Sequence, residues 1–538
     1  MSCKMLSLSA NFAVLPRVTS IISRAIGSSS VIGQQVAGTV SKSEDKTPLP
    51  SCSAVRPFSE IPGPKTYPFF GSLFSFIFHK EFDKKQIHKI FQSLVDDYGP
   101  IVRLESPTYP PVVILTDPRD CETVVRATME NPIREGFFSL RQVRRDTKDK
   151  YFEGSCGILV ENNEQWKKLR SRFQTPMMKA KNVTHYLSQM DEVTLNFMDR
   201  IAALQKEHGE MPHDFQFELY KWALESIGLV ALNRRLGCLD PNISSDSEPM
   251  KLIRHINDLF DLLNECEHGI QFWRIYPTAS YKKLEKCHEE FLRIADQNIC
   301  QTEAALLSKT RADEDENLTL MEKLLLTPGL SRKDVVTLIL DMLFAGVDTT
   351  SHTIGFTLYL LAKNPDCQAK LQEEMDSVIG DHEGPLTSKH IAQLSYLKAV
   401  VKESLRVFPL TTGTVRALEK DLVLSGYQVP KGWSAVLFGM KMGHDERNFP
   451  RPSEFIPERF LRHKPLGPIH PYATFPFGVG TRMCIGRRIA EQELYIFLAR
   501  VMHRYSVSYQ YEDMDIISRL VHVPSQPLRF SFSERRSR

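Results

Sequence analysis

One cysteine of the ten is set apart by its neighbours. The run Phe477-Gly478-Val479-Gly480-Thr481-Arg482-Met483-Cys484-Ile485-Gly486 leads into a helical pattern from Arg487 to about Arg504. A sulfur at a helix N-terminus lies near the positive end of the helix dipole, with main-chain NH groups in reach, so the thiolate is favoured as a soft metal ligand. Gly478, Gly480 and Gly486 allow tight turns and close approach of backbone to a flat cofactor, and Arg482 supplies a cation for a carboxylate. A second constellation interrupts the apolar helical pattern of residues 334–362 with Ala345-Gly346-Val347-Asp348-Thr349-Thr350. Small residues at 345 and 346 would let the helix pass close over a cofactor, and a threonine hydroxyl that competes for backbone carbonyls can loosen the helix. Asp348 with Thr349 then makes a proton relay. Alone, either feature reads equally as an incidental cysteine in a turn or a local hydrogen-bond motif; each gains weight from the other.

The elements that position these residues are mostly helices. Helical patterns run over 163–205 with a break near Pro176, then over 214–235, 250–267, 280–307, 331–362, 365–379 and 388–407. Strand signals appear around Val112-Val113-Ile114-Leu115, return in 414–440 and recur in 515–532. The expected fold is mainly α with small β-sheets, in one large domain over 61–538 that opens on Ile61-Pro62-Gly63-Pro64. With 42 % hydrophobic residues over 538, the core can enclose a cofactor. A net charge of +3 gives no sign of a nucleic-acid partner. No CxxC pair occurs among the cysteines, which argues against a disulfide framework and against a zinc site. The other nine read as small buried side chains or exposed thiols.

Residues 1–43 hold Lys4, Arg17, Arg24 and Lys42, no acid, and many serines and threonines. Val18, Ile21, Ile22 and Ala25 repeat at helical spacing, the outline of a mitochondrial transit peptide; Pro16 and Gly27 keep a disordered leader as the plain alternative. A Pro- and Ser-rich linker follows over 44–60. No run of about twenty apolar residues supports a spanning helix.

From Ile61 onward the chain resembles the cytochrome P-450 family. Four separated motifs match in family order: Trp166-Lys-Lys-Leu-Arg170; Ala345 to Thr350; Glu403-Ser-Leu-Arg406 with Pro457-Glu-Arg-Phe460; and the Cys484 loop. The resemblance implies haem b ligated through the Cys484 sulfur, whose thiolate pushes electron density onto iron and favours O–O cleavage. It implies that Trp166, Arg170, Arg416 and Arg482 hold the haem propionates, guanidinium suiting carboxylate. Glu403, Arg406 and Arg459 are expected to form a structural ion cluster with no catalytic role.

Gly486-Arg487-Arg488-Ile489-Ala490-Glu491 and Tyr396 to Glu403 look like the mitochondrial branch of that family in animals, arthropods among them. Lys398 and Lys402, at i and i+4, share a helix face and with Arg487 and Arg488 would meet an acidic partner. By resemblance that partner is an iron–sulfur ferredoxin served by an NADPH-dependent reductase. The substrate pocket is expected against the 132–150 loop, the helices flanking 271–277, the segment after Arg406, and 521–528. Phe137, Phe138 and Leu140 suggest an apolar pocket, while Phe272, Trp273 and Ile275 could instead dip into a membrane surface. Either use suits a lipophilic substrate, and peripheral attachment to the matrix face of the inner mitochondrial membrane. Three rivals keep the haem: a microsomal-type enzyme fed by a flavoprotein reductase, for which 1–43 lacks the expected apolar anchor; a haem-thiolate isomerase, whose relatives often depart from the acid–alcohol pair; and a haem carrier or sensor, in which relay and docking face would be idle.

Overall fold

A computed structural model of the chain describes residues 55–535 apart from 73, 75–82, 107–109, 148–150, 153–154, 209–210, 269–270, 309–317, 383 and 463–465. The leader, most of the linker and the acidic run at 313–316 lie outside the described residues. Eight helices position the site. They are α1 (Phe138–Asp146), α2 (Asn163–Met178), α3 (Gln216–Leu232), α4 (Glu248–Glu267), α5 (Ala279–Ser308), α6 (Arg332–Lys363), α7 (Ser395–Val407) and α8 (Arg487–Arg504).

The longest, α6, starts at a capping box. Ser331 accepts from the Asp334 main-chain NH at 3.2 Å, and the Asp334 carboxylate accepts from the Ser331 NH at 2.9 Å. Its sequence is apolar nearly all round because neighbours cover it on every side: 25 of its residues are buried, and it packs against α3, α5, α7 and α8. The long pattern over 163–205 divides as expected. Pro176 sits in the last turn of α2, Lys179 is extended, and helices resume at Ala180–Thr184 and Leu187–His208. The 388–407 pattern is two helices, Ser388–Gln393 and α7, separated by Leu394.

Strands β1 (Ile101–Leu104), β2 (Val112–Leu115), β3 (Thr414–Ala417) and β6 (Ser434–Leu437) form one sheet in the order β1-β2-β6-β3. The β2–β6 pair is parallel, with Val112 beside Ser434, so the N-terminal hairpin is joined to the strand that follows α7. β4 (Leu422–Leu424) with β5 (Tyr427–Val429), and β8 (Ile516–Arg519) with β9 (Val521–Pro524), are hairpins. β10 (Ser531–Glu534) pairs with β7 (Tyr505–Ser508), which begins where α8 ends. The sequence patterns had missed β7 and the helix Ile87–Tyr98, and had read α1 as loop. Gly136 and Phe137, both at positive φ, precede α1 and hide its start from pattern reading. The fold is mainly helical with small sheets, as expected.

Candidate active site

Cys484 precedes α8 by a short turn. Its main-chain NH donates to Phe477 O at 2.8 Å, closing the loop, while Gly478 and Gly480 take φ of +72° and +74°, conformations that favour glycine. The NH groups of Gly486 and Arg487 donate to the sulfur, and Arg170 and Arg487 add positive charge. Burial pushes the thiol pKa up and these donors oppose it. A bound metal ion completes what they begin, because a coordinating thiol is deprotonated outright. Although deeply surrounded, Cys484 keeps accessible surface, so it faces an internal cleft.

Beside it, five guanidinium groups converge. The Arg482 guanidinium is pushed down from its ordinary pKa, first by burial and then by the like charges of Arg134, Arg416, Arg141 and Arg170. Arg416 is lowered to about 10 by burial and Arg134, and both Arg134 and Arg170 feel the Cys484 sulfur. Carbonyl oxygens orient the group: Met483 O accepts from Arg170 at 2.8 Å, Val479 O from Arg416 at 3.0 Å, and Glu161 O and Pro132 O from Arg482 at 2.6 and 3.1 Å. The Arg482 guanidinium also lies over the Trp166 ring, 4.9 Å from its centroid. None of the five pairs with a carboxylate among the described residues, and the buried Nε atoms of Arg141 and Arg482 lack partners. Guanidinium does not shed its proton in proteins, so this charge fits a cofactor that brings its own carboxylates against a thiolate ligand. Haem is such a group. Trp166, Arg170, Arg416 and Arg482 lie together in the structure; Arg134 and Arg141 join them unforeseen, since the 132–150 segment reads as pocket lining.

On α6, Asp348 is wholly buried and neither carboxylate oxygen has a hydrogen bond among the described residues. His352 Nε2 is 3.5 Å away and also shares a 3.0 Å hydrogen bond with the Tyr220 hydroxyl. The Thr349 hydroxyl donates to Ala345 O at 2.6 Å, the expected bid for a backbone carbonyl, while the helix runs unbroken from Arg332 to Lys363. Ala345 and Thr349, one turn apart, are half-buried in a stretch otherwise mostly closed. At Gly346 a Cβ would come to 3.0 Å from the Ile227 side chain, so its smallness serves packing against α3. A residue the sequence did not single out, Glu493 of α8, accepts from Ser226 of α3 at 2.8 Å and from Thr350 at 3.4 Å. It ties the helix after the cysteine loop to the helix carrying the acid–alcohol pair. Burial raises its pKa to about 7.

The expected ion cluster is present and buried. Glu403 pairs with Arg406 at 2.7 Å and Arg459 at 3.1 Å, and Arg406 also donates to three main-chain carbonyls. Lys402 is exposed, whereas Lys398 is half-buried and donates to Ala392 O at 2.9 Å. Arg487 pairs with Glu491 at 2.9 Å, and Arg488 is exposed. In the α4–α5 connection, Phe272, Ile275 and Tyr276 are 60, 88 and 70 % exposed, but Trp273 is not part of that patch. Its indole donates to Cys266 O at 2.8 Å and its ring stacks on Tyr281, making it an anchor for the connection. Leu140 is buried in the core, and His522 beyond β8 donates its main-chain NH to Leu410 O at 2.8 Å, joining the C-terminal segment to the stretch after α7.

Comparison with known proteins agrees with this geometry. The family model described as "Cytochrome P450" matches residues 61–532. Probable cytochrome P450 49a1 of Drosophila melanogaster is 33 % identical over 514 residues, covering 92 % of this chain and 86 % of that protein. Probable cytochrome P450 301a1, mitochondrial, from the same fly is 32 % identical over 482 residues, 89 % of this chain and 87 % of that protein. Cytochrome P450 CYP12A2 of Musca domestica is 33 % identical over 497 residues, 89 % and 91 %. With a thiol beside a carboxylate-seeking arginine cluster, an acid–alcohol pair on α6, and a match along nearly all of the folded chain, the protein belongs to the cytochrome P450 family of haem-dependent monooxygenases.

Proposed function

We propose that this chain is a mitochondrial monooxygenase that hydroxylates a lipophilic substrate, steroid-like or xenobiotic, with electrons from an acidic iron–sulfur ferredoxin and its NADPH-dependent reductase. The observation that carries the chemistry is the convergence of Cys484 with Arg134, Arg141, Arg170, Arg416 and Arg482. Haem, held there through the cysteine sulfur, supplies dioxygen activation, so that one oxygen atom enters a C–H bond and the other leaves as water. The chain's own residues do the rest. Gly486 and Arg487 NH groups stabilise charge on the Cys484 sulfur, and the arginines with Trp166 hold and orient the propionates. Asp348 takes protons arriving along α6 and Thr349 presents one at the cleft, meeting the proton demand of oxygen reduction. The buried Asp348 carboxylate lies 3.5 Å from His352 and acts electrostatically on Tyr220 and Arg519, so groups able to hand on a proton surround it.

Location and donor rest on other support. Several relatives carry "mitochondrial" in their names, and residues 1–43 have the composition of an import leader. No helix among the described residues is long and apolar enough to cross a membrane, and the exposed Phe272, Ile275 and Tyr276 suit superficial contact with the matrix face of the inner membrane. The test is reconstitution of the purified holoenzyme with a mitochondrial-type ferredoxin and its reductase against a lipophilic substrate library. Hydroxylated product is expected only when ferredoxin is present. Turnover supported by a microsomal flavoprotein reductase alone, or a peroxide rearrangement needing no electrons, would replace this reading with one of its rivals.

A further inference from the structure

His255 and Asp258 stand three residues apart on α4 and so share a face. Cys287 of the neighbouring α5 meets them there, with the three donor atoms all within 4.8 Å of one another. The Cys287 sulfur is 3.7 Å from His255 Nδ1. Zinc–sulfur and zinc–nitrogen bonds of about 2.3 and 2.0 Å at a tetrahedral angle require a sulfur–nitrogen edge of roughly 3.6 Å. The pair is therefore already spaced as two ligands of one ion. From the juxtaposition of His255, Asp258 and Cys287 across the α4–α5 interface we infer a zinc site with three protein ligands and one position open to water. The absence of CxxC pairs argues against a zinc site when read along the chain; the proposed site departs from that reading because two separate helices assemble it, which spacing along the chain does not reveal.

The chemistry of the donors agrees with the geometry. Burial lowers the His255 pKa, so the imidazole is neutral and able to ligate at pH 7. The Cys287 thiol, pushed up to about 12 by burial and Asp258, donates its proton to the His255 carbonyl at 3.4 Å. Zinc would take that sulfur as thiolate and release the proton to solvent, so binding must strengthen with rising pH. Asp258 is exposed and has no ion pair or hydrogen bond among the described residues, which leaves its carboxylate free to swing onto the ion. The other charged groups facing His255 are Arg254, Arg293 and Glu290, the last paired with Arg293 at 3.1 Å. Since α4 and α5 flank the apolar connection at 271–277, an ion held here would fasten one helix to the other.

The experiment is equilibrium dialysis of chelator-treated holoenzyme against zinc at pH 7.5, with bound metal measured by elemental analysis. X-ray absorption at the zinc edge then reports the ligands. One zinc per haem is expected, with a sulfur scatterer at about 2.3 Å. Cys287→Ser and His255→Ala should each weaken binding at least tenfold while the haem spectrum is unchanged, which shows that both variants fold. Wild-type protein that retains no zinc, a site without sulfur, or variants that bind as tightly as the parent would overturn the proposal.

Discussion

At Cys484 two opposing effects meet: burial disfavours the thiolate, while the Gly486 and Arg487 NH groups and nearby guanidinium charge favour it. A serine oxygen in the same place would receive the same hydrogen bonds, yet it is a far weaker donor to iron at neutral pH. Cys484→Ser should therefore keep the fold and lose the long-wavelength Soret band of the reduced carbon monoxide complex; a retained band would assign ligation to another residue. Thr349 poses a different question, because its hydroxyl already donates to Ala345 O. If that hydroxyl only shapes the helix, Thr349→Ala should leave coupling unchanged. If it presents a proton at the cleft, the alanine variant should bind haem normally and release several-fold more hydrogen peroxide per NADPH consumed. The second outcome is expected, and stoichiometric assay of peroxide and product distinguishes them. The arginines show where residue-scale reading stops. Arg170 and Arg482 lie in motifs with family spacing, but Arg134 and Arg141 sit in an unpatterned segment, and only folding brings them to the same charge cluster.

Three helices meet at Glu493, and this junction gives the fold a pH dependence. Its carboxyl titrates near 7 in the folded protein, against an ordinary value of 4.5. Below 4.5 the folded and unfolded chains both hold the proton. Between 4.5 and 7 the unfolded chain gives it up first, so this group's contribution to stability falls as pH rises and is fully lost above 7. The full effect is on the order of 3 kcal/mol. Glu493→Gln can still accept from Ser226 and carries no charge to bury. It should match the parent at about pH 4, where folded and unfolded chains both hold the proton, and unfold at higher urea at pH 8; urea midpoints equal to the parent's at both pH values would show that the carboxyl is not desolvated as described. The junction also marks what was legible at this scale. The course of α6 and α8 followed from apolar periodicity and the loop before Cys484, whereas the Glu493–Ser226 bond spans 267 residues of sequence and leaves no local trace. The same holds for the break at Leu394, where a continuous helical pattern conceals a turn, and for β7, a four-residue strand that begins directly at the end of α8 and carries no strand signal of its own.

Over the molecule as a whole, charge is nearly balanced, so any preference for an acidic partner must come from where cations sit. The candidate face is not four equivalent charges. Lys402 and Arg488 are exposed, Arg487 is partly neutralised by Glu491, and Lys398 is half-buried, with its ammonium on the Ala392 carbonyl and its pKa lowered by burial. Sequence spacing gave Lys398 and Lys402 equal standing, and packing distinguishes them. Lys402 should consequently carry more of the docking interaction. Lys402→Glu alone should raise the apparent ferredoxin KM severalfold, and adding Lys398→Glu should increase it less, with the haem spectrum and substrate-induced spectral shift preserved in both. Salt supplies an independent check, since exposed charges are screened beyond about 10 Å at 0.1 M ionic strength. The parent's ferredoxin KM should rise with ionic strength, and the double variant's should rise less because it has fewer attractive charges to screen. A double variant with normal KM at low salt would remove the electrostatic basis for ferredoxin docking on α7, leaving the relatives' names and the composition of residues 1–43 as support for the mitochondrial assignment.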